Sequence, residues 1–194
     1  GVEGEYLADR LVDESIRFLE QHGGEPFFLY LSHYSVHTPI QGKADLIERY
    51  QDKLPADGQG NPAYAAMVQS VDDGVGRLIT TLDRLGLTEN TVVIFYSDNG
   101  GFGPVTSMAP LRGSKGMLYE GGIREPLAIK WPGVTKPGST CHEPVIAVDF
   151  YPTLLEIAGA KRPKNYLLDG VSLTPLLRDA SASLGRDALH WHFP

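Results

Sequence analysis

Asp98 and Asn99 place one carboxylate beside one amide carbonyl, and Lys115 follows in the same stretch between Ser114 and Gly116. Oxygen donors of this kind suit a hard divalent cation, Ca²⁺ or Mg²⁺ rather than Zn²⁺. Asn-Gly and Gly-Gly are also turn signals, so the run Asp98-Asn99-Gly100-Gly101 reads equally as a plain turn. Glycines at 113, 116, 121 and 122 let backbone approach an anion closely while the lysine supplies a point charge. The same composition would suit a surface loop carrying a solvated lysine.

Two histidines, His33 and His37, stand in the segment Ser32–Pro39. Pro39 and the apolar run before them argue for an extended segment or loop, which makes a helical zinc pair a poor reading. Each could be an ordinary hydrogen-bonded side chain. His37 is the stronger site candidate and His33 the weaker. Cys141 is the only cysteine, so no internal disulfide can form, and its Gly/Pro/Ser/Thr-rich surroundings offer nothing to activate a thiol. Asp72 and Asp73 fall inside a helical pattern and read as solvated.

The elements that must position these groups follow from periodicity. Leu7, Leu11, Val12, Ile16 and Leu19 mark one face of a helix that ends at His22-Gly23-Gly24. Phe27–Leu31 and Thr91–Tyr96 are short apolar runs that suit strands covered on both faces. Between them, a helical turn is expected near Ala44–Tyr50 and a long helix from Asn61-Pro62 to Leu85, stopped by Gly86. Strand, helix and strand predict a βαβ unit with a right-handed crossover, the helix's apolar stripe on a sheet. His37 and Asp98 would then share the crevice at the strands' carboxyl ends. Leu127–Trp131 predicts a strand, Asp149 an N-cap for a helix over Phe150–Ala158, and Leu189–Phe193 a last strand that leaves His190 and His192 as core or rim residues.

Ser97-Asp98-Asn99-Gly100-Gly101, then Leu111-Arg112-Gly113-Ser114-Lys115-Gly116, then Tyr119-Glu120-Gly121-Gly122-Ile123-Arg124-Glu125-Pro126 resembles the C-terminal signature of the type I sulfatases of the alkaline phosphatase superfamily. His37-Thr38-Pro39 after Pro26–Leu31, and the series Asp149–Leu155 and Leu168–Leu177, resemble further segments of that family, so the likeness runs from about Glu25 to the end. The resemblance implies an α/β fold with a mixed, largely parallel sheet flanked by helices, alkaline phosphatase-like and incomplete on its N-terminal side. It implies an α/β core over 1–160 and a C-terminal extension over 161–194 with a short helix and a final strand. Asp98 and Asn99 would be metal ligands, while Lys115 and His37 would be catalytic and substrate-binding residues that contact the sulfate. The implied cofactors are Ca²⁺, with Mg²⁺ as an alternative, and a formylglycine nucleophile made in a Cys/Ser-x-Pro/Ala-x-Arg motif.

No cysteine or serine here stands in that motif; Cys141 is followed by His-Glu-Pro-Val. The family's N-terminal aspartate pair is absent as well. One expectation accounts for both departures: the chain is the C-terminal part of a longer sulfuric ester hydrolase, inert by itself. The substrate would be an aryl or carbohydrate sulfate. A phosphoester or phosphonate hydrolase of the same superfamily and a non-catalytic sulfatase-like binding module are the alternatives. The resemblance also suggests a periplasmic, secreted or lysosomal-type compartment.

Composition sets the outer bounds. With 194 residues, the chain is one domain's worth. Its 17 basic and 24 acidic side chains give a net charge of −7 without a basic run, which argues against nucleic acid as a partner. No apolar run approaches the ~20 residues of a membrane span, and the start lacks a signal peptide's layout.

Overall fold

Asn61 starts the longest helix because its side-chain oxygen accepts the Tyr64 N–H at 2.9 Å and Pro62 occupies the first turn, where no amide donor is needed. Residues 4–162 and 164–192 are described by the computed structural model. They divide into two units, residues 1–90 with 99–124, and residues 91–98 with 125–194.

The first unit is helical. α1 spans Leu7–His22, α2 Ala44–Gln51 and α3 Pro62–Arg84, after which Gly86 turns the chain at φ +70°. Within this unit α3 packs on α1 and α2. Its core is Val12 and Leu19 of α1, Leu46 of α2, and Ala66, Met67 and Leu82 of α3. Three buried hydroxyls fit that core because each bonds back one turn: Ser15 to Leu11 O, Ser70 to Ala66 O, and Thr81 to Arg77 O. Arg77–Asp13 and Arg84–Glu20 ion pairs fasten α3 to α1 at the exposed rim. Asp72 and Asp73 are exposed, as expected. A short helix α4, Glu120–Ile123, closes the unit's glycine-rich loop.

The second unit holds β1, Val93–Tyr96, and β2, Leu127–Lys130, paired antiparallel with Tyr96 opposite Leu127. α5 spans Phe150–Ile157 and α6 Thr174–Arg178. Asp149 is fully buried and anchors this unit. Its oxygens accept the Ile146 N–H at 2.9 Å, the Val171 N–H at 3.0 Å, and both Arg186 terminal nitrogens at 2.8 and 2.9 Å. Burial pushes the Asp149 carboxyl up, but Arg186 and the two backbone donors outweigh it and hold the group below the usual carboxylate range. One turn on, Thr153 donates to Asp149 O and accepts from Leu173 N–H.

The α/β class stands, and several expectations about its parts are corrected. Phe27–Leu31 forms no ladder; its alternate residues Phe28 and Tyr30 are 69% and 79% exposed, so the segment is strand-shaped but unpaired among the described residues. The sheet among the described residues is the antiparallel β1–β2 pair. β1 is not covered on both faces, because Phe95 and Tyr96 remain exposed. Asp149 precedes α5 without capping it, since its carboxylate is committed to Arg186 and the loop amides. Leu189–His192 is irregular, and Phe193 lies outside the described residues. His190 and His192 are exposed, hence rim rather than core. No described helix is long and apolar enough to cross a membrane.

Candidate functional site

Lys115 owes its position to glycine. Gly113 and Gly116, on either side of Ser114-Lys115, take φ values of +87° and +83°, a region L side chains avoid. The loop then folds on itself through backbone bonds: Lys115 N–H to Gly101 O at 3.0 Å, Gly121 N–H to Arg112 O at 2.7 Å, and Gly100 N–H to Gly122 O at 3.2 Å. A Cβ at Gly100 would collide with the Gly121 carbonyl oxygen, and one at Gly122 with that of Met117. The Arg112 guanidinium lies 3.8 Å from the centre of the Tyr119 ring, which pins the loop's outer face. The segment after Asn99 and the segment around Lys115 are thus brought together. The Lys115 side chain is half-buried, and among the described residues no carboxylate forms an ion pair with it. A partly desolvated ammonium without a counter-charge is a site for an anion.

His37 belongs to the same unit and is exposed. Its Nδ1 lies 2.9 Å from Thr38 O, a carbonyl that can only accept, so Nδ1 is the donor and Nε2 is the ring nitrogen that Thr38 does not engage. The Tyr34 ring stands 5.8 Å away, and Tyr34 in turn donates from its hydroxyl to Thr38 O. His33 differs. Both of its ring nitrogens are buried with no hydrogen-bond partner, and burial pushes its pKa down against the opposing charge of Asp9. It is a buried residue of the helical unit rather than the hydrogen-bonded side chain the sequence suggested.

Asp98 ends the other unit's share of the signature, two residues past the ladder. Ser97 N–H donates to Pro126 O at 3.3 Å, just beyond Tyr96–Leu127, and the Asp98 charge acts on Glu125. Glu125 is a group the sequence reading passes over. Burial and the Asp98 charge push its carboxyl up to about 7, and its Oε1 is buried with no hydrogen-bond partner. The Tyr96 phenol is also pushed up, by burial first and then by Glu125, Asp98 and Asp149.

Asp98 and Asn99 offer two oxygen donors of the roughly six to eight that Ca²⁺ takes, so they fit as part of a coordination shell. Among the described residues no group of three or more His, Cys, Asp or Glu side chains is placed to hold a metal. Cys141 is exposed, and no feature of its surroundings activates it.

The ordered signature is matched by comparison with known proteins. The sulfatase family model covers residues 2–160. The chain belongs to the sulfatase family. As a sulfatase segment it is 42% identical to a sulfatase of Formosa agariphila, covering 97% of this chain and 37% of that protein. It is 37% identical to the steryl-sulfatase of Mus musculus, covering 95% of this chain and 30% of that one. Among solved structures, Ps i-CgsB in complex with k-i-k-neocarrahexaose superposes with a TM-score of 0.84 at 36% identity, over 92% of this chain and 40% of that chain. The sulfatase segment thus spans between 30% and 40% of these relatives' length.

Proposed function

We propose that the protein containing these 194 residues hydrolyses a sulfate monoester. The observation that carries the reading is the half-buried Lys115 ammonium, unpaired among the described residues, in a glycine-built loop of a sulfatase-family chain. A sulfate monoester spreads negative charge over three oxygens and gathers more on the bridging oxygen as the S–O bond breaks. Lys115 meets the first demand with a fixed point charge. His37 meets the second: with Nδ1 donating to Thr38 O, Nε2 is the atom that, in the protonated ring, gives its proton to the departing oxygen.

Asp98 and Asn99 are the residues that would hold Ca²⁺, with Mg²⁺ as the alternative; when bound, such an ion supplies positive charge for the sulfate oxygens. The nucleophile is assigned to a formylglycine outside these 194 residues, since no cysteine or serine here lies in the required motif. The named oligosaccharide of the similar solved structure supports a carbohydrate sulfate, and the arylsulfatase-type relatives support an aryl sulfate as a laboratory substrate.

The test compares an aryl sulfate with the matching aryl phosphate on the full-length protein. The expected result is faster turnover of the sulfate and none of either by the isolated 194 residues. Preference for phosphate would move the protein to the phosphoester reading, and turnover of neither by the full-length protein would favour a binding module.

A further inference from the structure

The loop that carries Lys115 is braced from a turn far upstream in the sequence. Ala56 and Gln59 close that turn, Gln59 N–H donating to Ala56 O at 2.8 Å and Ala56 N–H to Gln59 O at 3.2 Å. Its central residues, Asp57 and Gly58, have φ values of +52° and +78°, the both-positive pattern that Asp-Gly favours. Gly58 lies against Ser107, and a Cβ at position 58 would collide with the Ser107 side chain. The Gln59 amide then grips two successive residues of the 101–109 loop. Its Nε2 donates to Ser107 O at 2.7 Å, and its Oε1 accepts from Thr106 Oγ1 at 2.6 Å. Because the Ser107 carbonyl can only accept, it fixes which way round the amide stands.

The gripped residues lead directly to Lys115. The Thr106 methyl and Met108 Sδ fill the space where a Cβ at Gly101 would stand, and Gly101 N–H donates to Met108 Sδ at 3.2 Å. The carbonyl of the same Gly101 accepts the Lys115 N–H at 3.0 Å. Gly101 is thus packed by residues in and beside the Gln59 clamp, and it holds the backbone of the lysine. Bonds from Val105 and Thr106 N–H to Phe102 O, and from Leu111 N–H to Met108 O, shape the loop internally but do not anchor it. Every link in this chain lies within the helical unit.

We propose that Gln59 is a positioning residue for Lys115, its amide clamping Thr106 and Ser107 so that Gly101 sets where the lysine's backbone stands. This rests on the reading of Lys115 as the sulfate contact. A fixed charge stabilises developing negative charge only where it is aimed, and a displacement of about 1 Å can cost about 10²-fold in rate. Gln59 is exposed, so its two bonds add little to folding, and their effect falls on the geometry of the loop.

The experiment is a double-mutant cycle on the full-length protein, with kcat, KM for an aryl sulfate, and thermal melting measured for each variant. Gln59→Ala should lower kcat/KM about tenfold, carried by kcat, with a melting temperature near the parent's. Gln59→Glu, which keeps the acceptor for Thr106 but turns a carboxylate oxygen toward Ser107 O, should behave in the same way. In a Lys115→Ala background, Gln59→Ala should change kcat/KM by less than about twofold, because the group it positions is gone. If Gln59→Ala costs the same factor with and without Lys115, or the loss comes only with a lowered melting temperature, its role is structural and the inference fails. If either Gln59 variant keeps the parent's kcat/KM while Lys115→Ala loses it, the role assigned to Gln59 is wrong and the reading of Lys115 survives. If Lys115→Ala itself stays within about threefold of the parent, that reading fails and takes the inference with it.

Discussion

Asp149 and Glu125 lie in the same unit, and each hides carboxylate oxygen from water, yet their surroundings are opposite. Asp149 accepts two backbone N–H groups and both ends of the Arg186 fork, which hold its carboxyl below the usual range. Glu125 faces Asp98, keeps one buried oxygen without a donor, and is pushed up to about 7. A saturated buried carboxylate closes its own electrostatic account and serves the fold. An unsaturated one beside a like charge adds little to the fold.

The comparison breaks first at Asp149. Asp149→Ala strands Arg186, whose side chain is only 18% exposed, and removes the acceptor for two loop amides. The expected loss is about 3–5 kcal/mol by urea unfolding, and a loss under about 1 kcal/mol would place the pair among surface ion pairs instead. Because the folded-state pKa is depressed, this stabilisation is present at neutral pH. It is lost as the pH falls below the ordinary aspartate value of about 3.9 through the lower folded one.

A smaller effect sharpens the comparison with a buried base. His33 has no partner on either nitrogen and its pKa is lowered by burial, so the unfolded chain binds the extra proton. Stability should therefore fall as the pH drops through about 6.5. His33→Leu should flatten that part of the pH–stability curve, read as the urea midpoint between neutral and mildly acidic pH. An unchanged slope would mean that water or relaxation satisfies the ring.

How much of this is legible in the sequence depends on whether the interaction is local. The helix over Pro62–Arg84 can be read because its cap, its first-turn proline and its apolar repeat all lie within it. Lys115 and its flanking glycines can be read because the loop's φ > 0 positions admit little else. The Phe27–Leu31 segment misleads: a continuous apolar run reads as covered on both faces, whereas Phe28 and Tyr30 are exposed, and apolar composition does not report whether a neighbouring strand supplies hydrogen bonds. Asp149 misleads for a related reason. It stands where a cap belongs, while its decisive partner Arg186 is 37 residues away. Glu125 is invisible in the sequence, since only the fold brings it near enough to Asp98 for the two groups to interact.

The most direct test of the central claim removes the unpaired charge. Lys115→Ala in the full-length protein should lower kcat/KM for an aryl sulfate by about 10²–10³-fold, the cost of losing one fixed group that stabilises developing negative charge. Melting behaviour and Ca²⁺ affinity should stay near those of the parent. A kcat/KM within about threefold of the parent, far below that range, would contradict the assignment of Lys115 to the sulfate and with it the proposed chemistry of the site.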